Sequence, residues 1–214
     1  MKFSLSWLKE YLKTDKNLEE ILHWLTMVGL EVEGVEDRAE LLKEFVVGHV
    51  QDAKPHPDAD RLQVLQVQNG VETLEVVCGA PNARAGMKGI FAANGTYIPG
   101  IDLTLKTTEI RGVTSNGMML SEREIGLSDE HDGIIEVPQE AEIGSSAAEA
   151  LGLTDPIIDI AITPNRGDCL GIYGIARDLA AAGVGSLNNL EIPKVDESFE
   201  SPIKVHLDFD EEFK

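Results

Sequence analysis

Apolar positions recur with two different periods along this chain, and the change of period divides it. Near the start, Trp7, Leu8, Tyr11 and Leu12 share one face of a helix that Ser4 or Ser6 can cap and that runs to about Lys13. Leu18, Ile21, Leu22 and Leu25 repeat helical spacing behind Asn17 and Glu20, a capping-box pair, and Gly29 is placed to stop that helix. Leu30 to Val35 alternates as a strand does. From about Leu41 the texture becomes β. The stretches 45–50, 62–67, 74–77, 89–93, 103–110, 118–120 and 134–137 read as short strands. Turn residues at Pro55-His56-Pro57, Asn69-Gly70, Ala80-Pro81-Asn82, Asn94-Gly95 and Pro99-Gly100 part them. A short helix over 145–151 and a strand over 157–162 follow. Asp168 then caps a helix to about Ala182, with Ile172, Tyr173, Ala176 and Leu179 on one face and Gly183 as its stop.

Two short helices and one strand cannot bury their apolar faces alone, and the second α/β stretch is their natural partner. The expectation is an α+β fold: a discontinuous α/β domain formed by residues 1–38 and 152–190. An all-β barrel of the oligonucleotide/oligosaccharide-binding (OB) type is inserted at 39–151, with a sandwich as the alternative. Residues 191–214 read as a linker followed by the first strand, Ile203 to Leu207, of a further domain, so the chain reads as a fragment.

The stretch Lys106 to Leu127 packs much backbone geometry into few residues. Lys106 to Ile110 alternates as a strand end and Ser115-Asn116-Gly117 is turn chemistry. Met118 to Leu120 is a short apolar strand, and Ser121 with Glu124 is a capping box for a helix that Gly126 stops.

Charge limits what such a chain can bind. The whole carries −20, and residues 39–151 hold 8 Lys+Arg against 18 Asp+Glu. Phosphate neutralisation supplies most nucleic-acid affinity, so any RNA contact here is local or supported by partner domains. The start of the chain lacks the apolar core of a signal peptide, and no run is long enough to span a membrane as a helix. Cys78 and Cys169 have no second ligand at metal spacing; the expectation is reduced thiols and a cytoplasmic protein.

Four constellations could carry chemistry. His56-Pro57-Asp58-Ala59-Asp60-Arg61 offers a histidine and two carboxylates to a hard metal or to acid–base work, or else is a rigid turn. Cys78, before Gly79-Ala80-Pro81-Asn82, is a nucleophile or a buried strand-end thiol. Thr163-Pro164-Asn165-Arg166-Gly167-Asp168-Cys169 could hold an anion at a helix start or lock a domain. In the stretch from Lys106, Arg111, Ser115, Asn116, Gly117 and Arg123 could contact a nucleic-acid backbone, or the segment is architecture. There is no phosphate-binding glycine loop and no nucleophile–base arrangement.

Three of these motifs, His56 to Leu62, Val77 to Asn82 and Ser115 to Ser121, together resemble the OB-type tRNA-binding domain. Ser6-Trp7-Leu8-Lys9-Glu10-Tyr11, Val28-Gly29-Leu30-Glu31-Val32-Glu33 and Thr163 to Leu170 narrow the resemblance to the N-terminal end of the bacterial phenylalanyl-tRNA synthetase β subunit, over nearly all of residues 1–207. In that family the first domain is interrupted by the OB insertion. The resemblance implies an (αβ)2 enzyme that joins phenylalanine to its tRNA with ATP and Mg²⁺, with those sites outside this fragment, which is itself non-catalytic. The expected partners are tRNA, the α subunit and the rest of the β subunit. The RNA-contacting residues are expected among Arg61, Lys106, Arg111, Ser115, Asn116, Gly117, Met118, Ser121 and Arg123. The alternative is a purely structural packing module.

Overall fold

The computed structural model describes residues 1–196, 198, 200–206 and 208. The chain opens with strand β1 (Lys2–Ser4), helix α1 (Leu5–Tyr11) and strand β2 (Leu12–Lys13). Helix α2 (Leu18–Met27), strand β3 (Glu31–Glu36) and the one-turn helix α3 (Arg38–Leu41) follow. Then come strands β4 (Val46–His56), β5 (Ala59–Gln68), β6 (Thr73–Cys78), β7 (Lys88–Ala93), β8 (Tyr97–Ile98) and β9 (Leu103–Thr104). The run continues through β10 (Thr108–Ile110), β11 (Val113–Ser115) and β12 (Gly117–Met119). Helix α4 (Ala147–Ala150), strand β13 (Ile157–Ala161), helix α5 (Ile172–Ala181) and strand β14 (Ser186–Leu187) complete it.

The two ends of this order meet in one antiparallel sheet, β1-β13-β3, in which Phe3 faces Ile158 and Glu36 faces Ile157. Its inner residues Phe3, Ile158 and Ile160 are buried with Leu8 and Leu12 from the first helical stretch, Ile21 and Leu25 from α2, and Ile175 and Leu179 from α5. The capping box forms as expected: Asn17 Oδ1 accepts from Glu20 N, and Glu20 Oε2 accepts from Asn17 N. Every member of this core comes from residues 3–30 or 158–184.

A second, larger sheet runs β12-β7-β4-β5-β6, all neighbours antiparallel, and curls until its edges approach. Two hydrogen bonds close the seam between β6 and the last strands: Asn116 N–H donates to Glu75 O (2.9 Å), and Val77 N–H donates to Ser115 Oγ (3.1 Å). Inside lie Val50, Leu65, Val67, Val76, Met87, Phe91 and Met119. A second layer of Phe45, Val47, Ile90, Ile98, Leu120 and Ile125 sits under α4. The molecule is thus mostly sheet with a few helices, and the five-stranded, nearly closed sheet agrees with an OB-type barrel. Entry and exit lie side by side. Val46 and Ser146 form a bridge, and Ala147 N–H donates to Phe45 O.

Several local expectations need correction. The hairpin turn in Lys106–Leu127 lies at Arg111-Gly112, both with positive φ (48° and 84°), and not at Asn116-Gly117. Leu103 to Ile110 splits into β9 and β10, and Asn116 is a one-residue link between β11 and β12. Residues 122–126 form turns rather than a helix: the Ser121 hydroxyl donates to Glu124 Oε2 (2.7 Å) and turns to that carboxylate instead of to the backbone N–H groups of a first helical turn. Strand β4 runs past Val50 through Pro55 to His56, with two bulges. The stretch 134–137 gives only a bridge, Gly89 to Glu136. Asp168 caps nothing: α5 begins after Gly171, and the Asp168 carboxylate binds Arg166 and Arg177 instead. Ile203 to His206 is not a strand, and Leu207 lies outside the described residues.

Candidate nucleic-acid interface

In OB barrels, ligands are taken by the face of strands two and three and by the loops joining strands one to two and four to five. Here those strands are β5 and β6, the first loop is the tight turn Pro57-Asp58, and the second is the long connection 94–116. The structure ties the two loops together. His56 is buried, its Nε2–H donates to Ile110 O (3.0 Å), and its Nδ1 accepts from Asp58 N–H (3.1 Å). Arg111 Nη1 in turn donates to Asp58 O (2.9 Å). With both ring nitrogens engaged, His56 has no lone pair for a metal and none for acid–base work; the motif is a loop clamp. His56→Ala deletes a buried ring and two hydrogen bonds. It is expected to lower unfolding stability by about 2–3 kcal/mol, read from urea denaturation.

Arg111 holds a left-handed backbone conformation that costs a non-glycine residue about 1–2 kcal/mol. The turn takes the form whose central positions favour Asn or Gly. Glycine there would relieve that strain, and the arginine keeps a guanidinium at the tip of the loop instead.

The cations sort cleanly. Of the eight Lys and Arg in residues 39–151, Lys43, Lys54 and Arg84 are paired with Glu40, Asp52 and Glu136. Lys88 Nζ donates to Gln139 O and Ala141 O. The other four, Arg61, Lys106, Arg111 and Arg123, are exposed and form no ion pair among the described residues. These are the four cations expected from sequence to meet RNA. The structure sets Arg111 at the tip of the second loop, Lys106 at the base of its β10–β11 hairpin, and Arg61 on β5 close to the first loop. It places Arg123 in a separate groove with Gly100, Gly126 and Asp129.

The polar residues of the same stretch serve the barrel instead. Ser115 is buried, accepting from Val77 N–H and donating to Gly117 O (3.2 Å). Ser121 is buried and donates to Glu124 through both backbone and hydroxyl. Gly117 has φ 152°, and a Cβ there would lie 2.5 Å from the Phe91 ring and 2.7 Å from Ala92 O. Asn116 is held by Glu75 O, and Met118 packs half-buried against the core.

Residues outside the expected set join Arg61, Met118 and Ser121 in lining two recesses. Asp60, Arg61, Leu62 and Gln63 line a cleft whose far wall is Gly79-Ala80-Pro81. Across that wall opens a cavity of about 520 Å³ bounded by Cys78, Met118, Met119, Ser121, Glu124 and His131. Sequence spacing carries no signal for this cavity, because its walls come from three separated segments. Burial pushes the Cys78 thiol up, Glu124 adds to the effect, and Ala80 N–H opposes it; this thiol is a core group, not a nucleophile.

The Arg166 loop is a lock. Arg166 pairs with Asp168 and Asp178, Arg177 pairs with the same two carboxylates, and Arg166 Nη2 lies 2.9 Å from Cys169 Sγ. The Arg166 and Arg177 hydrogen bonds hold the Asp168 carboxyl below its usual range. Neither arginine is left for an anion, and neither aspartate for a cation. The Asp168-Cys169-Asp178 cluster therefore does not suit Mg²⁺. No helix among the described residues is long and apolar enough to cross a membrane.

A family model for a tRNA binding domain matches residues 45–146. The β subunit of phenylalanine–tRNA ligase from Bartonella quintana is 56% identical over 213 residues, 99% of this chain and 26% of that protein. The corresponding subunit of Mesorhizobium japonicum is 56% identical over 207 residues, 96% of this chain and 26% of that protein. The chain thus spans about a quarter of the length of these curated relatives. A crystal structure of a MetRS related protein from Pyrococcus horikoshii aligns at 28% identity, covering 52% of this chain and 96% of that one, with a TM-score of 0.39.

Proposed function

Because the chain belongs to the phenylalanine–tRNA ligase β-subunit family, we propose that it serves as a non-catalytic part of that enzyme, assisting tRNA binding through its barrel. One observation carries this reading: Arg61, Lys106, Arg111 and Arg123 are exposed and free of ion pairs among the described residues, Arg111 being tied only to Asp58 O; Lys106 and Arg111 lie in a loop, and Arg61 on a strand, that OB barrels use for ligands. In this reading the barrel spans 39–151 and is inserted into an α/β domain of residues 1–38 and 152–190, with 191–214 leading onward. The α subunit and the rest of the β subunit are its partners. In this reading the ATP and Mg²⁺ that charging requires are held elsewhere in the assembly; the Asp168–Asp178 pair here is committed to Arg166 and Arg177.

A second reading, a packing module without RNA contact, draws support from the 8 cations against 18 carboxylates in the barrel. The two part company in a binding assay. Arg61→Ala combined with Arg111→Gly, which suits the positive φ, is expected to weaken tRNA binding on the order of tenfold without loss of fold stability. Unchanged affinity of that double variant in filter binding would assign the barrel to packing.

A further inference from the structure

The cavity across the Gly79–Pro81 wall has a chemistry unlike the cationic loops beside it. Its floor is the barrel seam. In the β12–β7 pair, Leu120 N–H bonds Ile90 O, so Met119, one residue earlier, turns its N–H and C=O away from β7 and toward the seam. The Met119 side chain is buried in the core, so main chain is what it offers to the cavity. Glu124 offers a carboxylate. Its Oε2 takes both bonds from Ser121, and its Oε1 has no partner among the described residues. Pro81, Ala80 and the Met118 thioether form flat or deformable apolar walls.

No lysine or arginine lines this space, while Glu124 and Asp132 do. A phosphate is therefore repelled, and what suits the site is an uncharged ring with hydrogen-bonding edges. The volume of about 520 Å³ is in the range of small-ligand pockets. The adjoining cleft holds Arg61 and shares Gly79, Ala80 and Pro81 with the cavity, so a chain whose phosphate meets Arg61 can turn one ring over Pro81.

We propose that the seam cavity accepts a single unstacked nucleobase bearing an exocyclic amino group. Glu124 Oε1 and Met119 C=O accept its N–H groups, and Met118 and Pro81 flank its plane. This rests on the reading of the barrel as an RNA-binding module and adds base selection to it. A carboxylate accepts from an amino group but repels the carbonyl oxygen that uracil presents at the equivalent position, so cytosine is favoured over uracil. Unstacked bases are how single-stranded RNA is read in general.

The test uses the whole chain with methyl-labelled methionines and two five-nucleotide RNAs, all uridine or with one central cytidine. The cytidine probe is expected to bind about tenfold more tightly and to shift the Met118 and Met119 methyl signals. Glu124→Gln is expected to erase the preference. Equal affinity for the two probes, or a preference that survives Glu124→Gln, overturns the base site. If tRNA still binds through Arg61 and Arg111 in that event, the module's broader role stands. If neither tRNA nor either probe binds at low salt, both readings fail together.

Discussion

Gly117→Val is expected to unfold the barrel and leave the β1-β13-β3 unit standing. The new side chain would start within the Phe91 ring and against Ala92 O, at a φ of 152° that β-branched residues do not adopt. Overpacking and backbone strain together predict a loss of about 4 kcal/mol or more, a large share of a domain's total stability. The chain supplies its own reporters. Both tryptophans, Trp7 and Trp24, lie on α1 and α2, so their fluorescence follows the three-stranded sheet and its helices alone. The expected result is an unchanged tryptophan transition in urea, with protection from hydrogen exchange lost across 45–137. A tryptophan transition that collapses with the barrel would mean that the two cores fold as one.

Excision is expected to have a comparably large but opposite consequence: removal of more than half the chain without loss of the sheet. Glu36 and Ile157 are direct cross-strand partners, so residues 39–151 leave and return at nearly the same place. No side chain from that segment belongs to the buried cluster of Phe3, Leu8, Ile21, Ile158 and Leu179. Replacing 39–151 with a short Gly/Ser linker is expected to retain the urea transition seen by Trp7 and Trp24, since closing so short a loop costs little. The excised segment is expected to fold separately, with Val46 and Ser146 bridging its ends. A linker variant with solvent-like tryptophan emission and no cooperative transition would contradict the insertion.

Much of this layout is legible in the sequence because it is written in periodicity. The helical faces of Ile21 and Leu25, with Leu18 half-buried beside them, and of Ile172, Ala176 and Leu179 bury as spaced, and the Asn17–Glu20 cap forms. Errors gather where local chemistry is shared between two uses. Asn116-Gly117 carries the residue types of a turn, yet the tight turn falls at Arg111, a residue with no preference for positive φ. Tertiary contact with Asp58 O accompanies that choice, and spacing cannot show it. Ser121 and Glu124 have capping-box spacing, but the hydroxyl donates to the carboxylate and the helix does not start. Asp168 looked like a cap and is an ion-pair partner, because Arg177 lies nine residues on along the chain but beside it in space. Among the candidate residues, the four cations free of ion pairs are recognisable by type. Ser115, Gly117 and Ser121 were recognisable as a motif, but their work is holding the seam and the turn beneath it.

If an acidic protein grips RNA through four cations free of ion pairs, the most direct test is the salt dependence of tRNA binding to the intact chain. Between about 50 and 200 mM salt, the slope of log affinity against log salt is expected to lie at about −2 to −4, as for two to four phosphate contacts. In the Arg61→Ala, Arg111→Gly variant the slope should be shallower by about 2. A slope near zero, or one that the double variant leaves unchanged, would contradict the account.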